Sequence, residues 1–212
     1  MENFLTLLSG IAWTVVYIDA IRIGIKDKSY AMPLFALSLN LGWELLYAYN
    51  AAVNSAGPSL QGIINACWAL FDIGIVYTYF RYGRRYWPQA FSRNAFVGWS
   101  ILVFLTSFAL QLIFFYEFGA YAGSRYSAFL QNLLMSILFI GMFISRKGSE
   151  GQTLLIATAK WIGTLAPTIL LGIYAQSVFI TVVGVLCSIF DLIYIGLLLW
   201  DRKHPKALLG AT

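Results

Sequence analysis

Seven long apolar runs constrain the fold of this chain more than any other feature. The hydrocarbon core of a bilayer is about 30 Å thick, and an α-helix needs about 20 apolar residues to cross it. The runs lack the alternation of polar and apolar residues that marks a membrane β-strand. They are residues 5–25, 32–52, 63–80, 96–116, 126–144, 153–174 and 178–200. The sequence therefore predicts an all-α integral membrane bundle of seven transmembrane helices.

The composition excludes a soluble enzyme. Hydrophobic residues make up 60% of the chain and charged residues only 11%, whereas soluble domains carry about 25% charged residues. The first run exceeds the length of a signal-peptide core and has no small-residue cleavage site, so we interpret it as a span. No linker divides the chain, and residues 1–212 are expected to form a single domain. Cys67 and Cys187 lie inside apolar runs without cysteine or histidine partners, which predicts neither a disulfide nor a metal site.

Basic residues alternate sharply between successive connections, and this alternation orients the bundle. Only Arg125 falls in one set of connections, and the other set holds Arg22, Lys26, Lys28, Arg81, Arg84, Arg85, Arg93, Arg146, Lys147, Lys160, Arg202, Lys203 and Lys206. Because basic loops stay in the cytoplasm, the amino terminus is predicted outside and the carboxyl terminus in the cytoplasm. The net charge of +5 is attributed to this topology, and no nucleic-acid partner is predicted. Short uncharged connections at residues 54–61 and 175–177 make the helices they join antiparallel neighbours.

Four acidic residues lie inside the predicted spans: Asp19, Glu44, Asp72 and Asp191. An ionisable side chain in hydrocarbon costs about 3 kcal/mol or more, so each of them is a candidate functional residue. At 1.5 Å per residue, Glu44, Asp72 and Asp191 lie within roughly 10 Å of one another in depth. We therefore expect these three to line one cavity between the second, third and seventh helices. Arg22 follows Asp19 by one helical turn, which favours an interfacial ion pair there.

Polar and aromatic side chains accompany three of these acids at helical spacing, so that each acid belongs to a helix face. The accompanying residues are Asn40, Trp43 and Tyr47 for Glu44, Asn65 and Trp68 for Asp72, and Cys187 and Tyr194 for Asp191. Buried carboxyls can also serve as neutral hydrogen-bonding contacts between helices, but three of them at one depth favour a functional site. Lys160 and Gln111 are interpreted as boundary and packing residues.

A site of this composition suits protonation chemistry. A carboxyl group in a dry pocket favours its neutral form and can give a proton, while a better-solvated carboxylate can accept one. Aromatic faces from Trp43, Tyr47, Trp68 and Tyr194 would attract and shelter a cation. These are the requirements for protonation-started cyclisation of an isoprenoid chain. The sequence has no DDxxD-like run, Gly-rich phosphate loop, HExxH or nucleophile elbow, which disfavours diphosphate-ionising, phosphoryl-transfer and hydrolytic enzymes; no cofactor is predicted.

The segment around Glu44 resembles a known family. Its Asn-x-x-Trp-Glu-x-x-Tyr pattern at residues 40–47, together with residues 30–34, 68–72 and 190–194, resembles the small seven-span membrane terpene cyclases of meroterpenoid and indole-terpenoid pathways. In that family a glutamate in the second helix and an aspartate in the last helix are the acids on which cyclisation depends. The resemblance carries these roles onto Glu44 and Asp191. It also implies an aryl- or indole-linked prenyl substrate, either an olefin or its epoxide, cyclised without a metal.

The three acids are predicted to have different roles in the reaction. Glu44 is the general acid, with Asn40 or Tyr47 orienting its proton. Asp191 is the accepting or acid-orienting carboxylate, and Asp72 positions water or the headgroup.

A small proton-coupled seven-helix transporter is the alternative function, because mid-membrane acids also couple transport to protons. Against it, the first and last three runs show no convincing self-similarity, and Pro167 is the only mid-helix proline. The expected partners are a lipophilic prenylated small molecule and membrane lipids. The expected location is a membrane that the chain crosses several times, the plasma membrane in a bacterium or the endoplasmic reticulum in a fungus.

Overall fold

The structure is a computed structural model that describes residues 1–54 and 60–204. Its helices are α1 (Glu2–Lys26), α2 (Leu34–Asn54), α3 (Leu60–Tyr82), α4 (Arg93–Ser145), α5 (Leu154–Pro167) and α6 (Val178–Lys203). A short 3₁₀ helix, Gly83–Tyr86, follows α3, and a π-helical turn, Thr168–Tyr174, follows α5. No strand occurs in these two ranges, which confirms the all-α prediction. Most of the predicted connection at 54–61, and Lys206, lie outside the described residues.

Side-chain caps fix where the later helices begin. Ser92, Thr153 and Ser177 each accept a hydrogen bond from the backbone amide three residues further on, at 3.1, 3.0 and 3.4 Å respectively. These hydroxyls satisfy amides that would otherwise have no partner at a helix start. The starts of the last three helices are therefore encoded locally.

Helix α4 contains two of the predicted runs and folds back on itself. Its backbone is helical except at Gly119, where φ is 74° and ψ is 169°. Gln111 and Gln131 would lie about 30 Å apart in a straight helix, yet their side chains are hydrogen-bonded at 2.7 Å. Two antiparallel limbs therefore meet at Gly119. The predicted connection at residues 117–125 is wrong in its extent, because helix continues up to and away from this single glycine.

Several of the helices have the length and composition to cross a bilayer. Within residues 1–54 and 60–204, five helical segments meet both conditions: Glu2–Lys26, Leu60–Tyr86, Arg93–Arg146, Leu154–Tyr174 and Val178–Lys203. Helix α2 is not among them, because polar residues such as Asn40, Glu44 and Asn50 lower its hydropathy. On α1, the exposed residues Phe4, Leu7, Ile11, Ile18 and Ile25 form an apolar stripe at helical spacing. The chain is a multi-pass membrane protein.

The basic connections meet at one end of the bundle, which we call the basic end. Arg146, after α4, donates to the carbonyl of Tyr30 at 2.9 Å. Arg85, after α3, forms an ion pair with Glu150. The amide of Ser149, in the connection between α4 and α5, donates to the carboxylate of Asp201 at 3.1 Å. Three connections and the end of α6 are thus tied together at this end.

The interior is packed toward the basic end and hollow toward the other end, which we call the open end. The main core includes Met32 before α2, Phe96 at the start of α4, Phe139 in its second limb and Leu198 near the end of α6. Helix α2 packs against α3 and α4, and α5 against α1 and α6. The predicted pairing of α2 with α3 and of α5 with α6 is confirmed. At the open end these helices splay around a cavity.

Candidate active site

A cavity of about 700 Å³ runs from the open end into the bundle. Its mouth includes Glu2, Gln61 and Tyr121, all of which are exposed, and its inner end includes Glu44 and Tyr17, which are 1% and 2% exposed. The wall comes from α1, α2, α3, the second limb of α4 and the turn after Pro167. A volume of this size suits a drug-sized ligand. The cavity therefore has a polar, open mouth and a closed, acidic inner end.

Glu44 holds its two carboxyl oxygens in different surroundings. Oε1 accepts hydrogen bonds from the Tyr17 hydroxyl and from Nδ2 of Asn40, the latter at 2.9 Å. Oε2 is buried and has no hydrogen-bond partner among the described residues. An unpartnered buried carboxyl oxygen is costly. A proton or a ligand on Oε2 would relieve that cost.

Asp72 on α3 is joined to Glu44 through Asn40. The amide nitrogen of Asn40 lies 2.9 Å from Oδ2 of Asp72, the same distance as from Glu44. Asp72 is fully buried, and its Oδ1 has no hydrogen-bond partner among the described residues. One amide thus bridges two carboxyl groups in the bundle interior. Asp72 does not line the cavity itself.

A chain of side-chain amides fixes the direction in which Asn40 points. Nε2 of Gln111 lies 3.2 Å from the carbonyl of Leu39, which can only accept, and 2.7 Å from Oε1 of Gln131. Nε2 of Gln131 in turn donates to Oδ1 of Asn40 at 3.2 Å. Each amide therefore presents its oxygen to the amide before it. The chain ends with the amino group of Asn40 turned toward the two acids.

Aromatic side chains form the cavity wall near Glu44. Trp13, Trp43, Tyr47 and Trp68 all line it. The indole of Trp43 packs 5.0 Å from the Tyr47 ring, measured between centroids, and donates to the carbonyl of Ser124 at 2.9 Å. These contacts hold the ring faces in place around the inner end. Electron-rich faces in such an arrangement stabilise a cation placed between them.

The predicted substrate-binding residues fall into two groups. Asn40, Trp43, Tyr47, Asn65 and Trp68 line the cavity with Glu44. Asp72 and Tyr194 do not: Asp72 lies behind Asn40, and the Tyr194 hydroxyl donates to Oε1 of Gln152 at 2.9 Å toward the basic end.

The expectation of one cavity shared by three acids is wrong for Asp191. Its carboxylate pairs with the ammonium group of Lys160 at 2.8 Å, and both side chains are at most 1% exposed. Lys160 also donates to the hydroxyl of Ser136 at 2.7 Å. Its interpretation as a boundary residue is likewise wrong, since it is fully buried between α5 and α6. Lys160 has no other acidic partner among the described residues, and its ion pair holds Asp191 away from the cavity, whose lining includes no described residue of α6.

Sequence reasoning missed Tyr17 and gave Gln131 no role. Both line the cavity and are hydrogen-bonded to the Glu44–Asn40 pair. Gln111, interpreted as a packing residue, is buried as expected and is also part of the amide chain. The pair predicted between Asp19 and Arg22 is confirmed, with Nε and Oδ1 2.6 Å apart.

Comparison of the sequence with known proteins assigns the chain to a family. The sequence profile of the Pyr4-like transmembrane terpene cyclases matches residues 1–204. The chain belongs to this family. The Pyr4-family terpene cyclase mfmH of Annulohypoxylon moriforme is 31% identical over 170 residues, which are 78% of this chain and 67% of that protein. The terpene cyclase pyr4 of Aspergillus fumigatus is 22% identical over 215 residues, 96% of this chain and 88% of that protein.

Other relatives are longer than the part they share with this chain. The terpene cyclase dpchB of Colletotrichum higginsianum is 28% identical over 75% of this chain and 65% of its own length. The match thus spans about two thirds of mfmH and dpchB. No solved structure matches the chain. Membership in the Pyr4-like cyclases favours cyclisation over the transporter alternative.

Proposed function

We propose that this member of the Pyr4-like cyclases starts cyclisation of a prenyl chain by transferring a proton from Glu44 to a terminal olefin or epoxide. The observation that carries the proposal is the position of Glu44. It lies at the inner end of a cavity of about 700 Å³, with one carboxyl oxygen held by Tyr17 and Asn40 and the other without a hydrogen-bond partner among the described residues. A carboxylic acid proton on this second oxygen, Oε2, would be the one that Glu44 gives to a substrate in the cavity.

The reaction conserves atoms. The proton of Glu44 adds to the substrate, carbon–carbon bonds form as the cation moves along the chain, and a proton leaves at the end. The carboxylate of Glu44, or water reached through the cavity, receives it. The net change is an isomerisation, which requires neither an oxidant nor a leaving group.

The surroundings of Glu44 fit this role. Tyr17 and Asn40 both donate to Oε1, so a proton on Glu44 is directed to Oε2. Asp72 stands beyond Asn40 as a second carboxyl group, and two acids this close favour sharing a proton over both being ionised. The walls formed by Trp13, Trp43 and Trp68 stabilise the carbocation and exclude water.

Asp191 is proposed as a positioning residue. Its pair with Lys160 joins α6 to α5, and α5 leads directly into Pro167, Leu170 and Leu171, which line the cavity. The family resemblance implies that cyclisation depends on this aspartate. In this proposal, cyclisation depends on it because the ion pair sets the shape of the cavity wall. Direct proton transfer from Asp191 would need a path from the buried ion pair to the substrate.

We further propose that the bundle crosses the membrane seven times. Helices α1, α2, α3, α5 and α6 contribute one span each, and the limbs of α4 on either side of Gly119 contribute two. The cytoplasm lies at the basic end, because basic connections are retained there. The substrate is a prenylated aromatic or indole compound that is lipophilic enough to enter from the membrane.

Product analysis tests the proposed function. The chain is expressed in a host without terpene cyclases, and its membranes are supplied with farnesylated aromatic compounds and their terminal epoxides. Cyclic isomers of the same mass as the substrate are expected in the extract. Unchanged substrates across olefins and epoxides, with correctly inserted protein, would contradict the proposal.

A further inference from the structure

Among the described residues, one basic side chain lines the cavity, and it lies at the mouth. Arg125 is half-buried on the second limb of α4. Its guanidinium carbon stands 3.6 Å from the ring centroid of Tyr121, one helical turn earlier. A cation–π contact of this kind leaves the N–H donors of the guanidinium available to a ligand. Tyr121 therefore holds the cation in place without using its hydrogen-bond donors.

Arg125 has no acidic partner in the part of the chain that the structure describes. All nine acidic side chains lie in the described ranges 1–54 and 60–204. The ion pairs in those ranges are formed by Arg22, Arg85 and Lys160 instead. Glu2 lines the same cavity, but it forms no ion pair with Arg125. The guanidinium also donates no hydrogen bond within the described part of the chain.

The two ends of the cavity therefore differ in charge. Arg125 supplies a fixed positive charge at the mouth, whereas the inner end holds Glu44 among indole and phenol rings. An anionic group would lose its hydration beside the buried Glu44 and the aromatic rings but would be paired at Arg125. An apolar prenyl tail has the opposite preference. A substrate that is lipophilic at one end and anionic at the other fits in one orientation only.

We propose that Arg125 binds an anionic oxygen of the substrate headgroup, best a carboxylate that accepts two parallel hydrogen bonds. The headgroup then lies at the mouth, and the far end of the prenyl chain lies at Glu44. This inference rests on the proposed cyclase function and adds to it the orientation and the chemical class of the headgroup. Arg125 becomes the residue that selects acidic headgroups over neutral ones.

A binding measurement with a matched pair of probes tests this assignment. The full-length protein in detergent micelles is titrated with a farnesylated hydroxybenzoic acid and, separately, with its methyl ester. Quenching of tryptophan fluorescence reports occupancy, because Trp13, Trp43 and Trp68 line the cavity. The variants are Arg125→Gln and, as a control, Arg93→Gln, which removes an exposed basic residue from the basic end of the same helix.

The wild-type protein is expected to bind the acid more tightly than the ester. In Arg125→Gln the Kd of the acid should rise about tenfold, the loss of one charge-assisted interaction of about 1.4 kcal/mol. The Kd of the ester should change less than twofold, and Arg93→Gln should leave both values unchanged. This pattern supports the assignment.

Other patterns overturn it. Equal weakening of acid and ester would mean that Arg125 only shapes the mouth. No change for either probe, or no preference for the acid in the wild-type protein, would mean that the guanidinium contacts the membrane surface and not the substrate. Because tryptophan quenching reports occupancy and not product, a protein that prefers the acid through Arg125 but forms no cyclic product would contradict the proposed function and not this inference.

Discussion

At the residue scale, the two carboxyl oxygens of Glu44 differ in their hydrogen-bond partners. Oε1 accepts from Tyr17 and Asn40, whereas Oε2 is buried without a partner among the described residues. The amide chain from Gln111 through Gln131 keeps Asn40 facing Glu44 as a donor. Each of these contacts favours a proton on the side of Glu44 that has no protein partner.

Replacing Tyr17 with Phe should separate catalysis from stability. Tyr17→Phe removes the hydroxyl that donates to Glu44, so turnover should fall about tenfold, the effect of one hydrogen bond of about 1.5 kcal/mol to a charged group. The matched control is Tyr79→Phe, which removes another buried hydroxyl, bonded to Ser100 at 2.9 Å. Both variants should lower the free energy of unfolding by about 1 kcal/mol. Equal turnover in the two variants would show that Tyr17 has no part in the reaction.

The sequence predicted the acid but not its partners. Glu44 and Asn40 were found because a charge in an apolar run is rare and a neighbour one turn away follows from helix geometry. Tyr17 carries no such signal in a chain with 13 tyrosines. Lys160 was misassigned because its direction relative to the bundle axis is set by packing of α5 against α6, which residue spacing does not report.

At the element scale, the buried ion pair of Lys160 on α5 with Asp191 on α6 predicts that substitutions at these two residues have strongly coupled effects on stability. Lys160→Met should lower the free energy of unfolding by about 3 to 5 kcal/mol, because it leaves the Asp191 carboxylate buried without its partner. Adding Asp191→Leu should recover most of that loss, and recover turnover with it, if Asp191 only positions α6 against α5. Thermal unfolding in detergent and product yield are the measurements.

The exposed pair of Arg85 with Glu150 provides the comparison for this prediction. Arg85→Gln should cost only about 0 to 1 kcal/mol, because its ion pair is solvent-exposed. A Lys160→Met/Asp191→Leu protein that is stable but inactive would show that Asp191 has a direct chemical role, contrary to the assignment made here.

The hairpin in α4 depends on one glycine. Gly119 has φ of 74° with ψ of 169°, and a Cβ atom there would meet no other atom within 4 Å. Gly119→Ala should therefore destabilise the protein by about 1 to 3 kcal/mol through backbone strain alone. Gly98→Ala and Gly141→Ala, in helical parts of α4 and equally uncrowded, should be neutral or stabilising in the same unfolding assay. Equal effects at the three positions would contradict the hairpin geometry.

The element boundaries were predictable where composition marks them. Five runs each coincide closely with one helical segment and the other two lie in the limbs of α4, because a long apolar run favours a membrane helix. The segment 117–125 was expected to be a connection because it separates two apolar runs and contains Arg125. Polar residues at a membrane surface are compatible with continued helix, and only Gly119 departs from it.

At the scale of the whole molecule, packing and charge divide the bundle into two ends. The basic end holds most of the core and the tied connections, and the open end holds the cavity. A rigid base with a hollow opposite end allows the substrate to enter without unpacking the helices. Among the described residues, Arg125 is the one basic side chain that lines the cavity, and it lies beside the entrance.

The division of the bundle into a basic end and an open end predicts its orientation in the membrane. Single cysteines are introduced as Ser177→Cys and His204→Cys in a background in which Cys67 and Cys187 are replaced by serine. A membrane-impermeant maleimide added to intact cells should label position 177 and should label position 204 only after permeabilisation. The opposite sidedness would place the cavity mouth in the cytoplasm.

The most direct test of the central claim is the turnover of Glu44→Gln on a confirmed substrate. Glutamine keeps the shape and can still accept from Tyr17 and Asn40, but it has no proton to transfer. Turnover should fall by about 10²- to 10⁴-fold, the usual contribution of general acid catalysis, while the protein stays folded and binds the substrate. Asp19→Asn makes the same kind of change at a buried acid outside the cavity and should retain turnover, with at most a loss of stability. Near-complete cyclisation by folded Glu44→Gln would show that this carboxyl group is a structural contact between helices and not the proton donor.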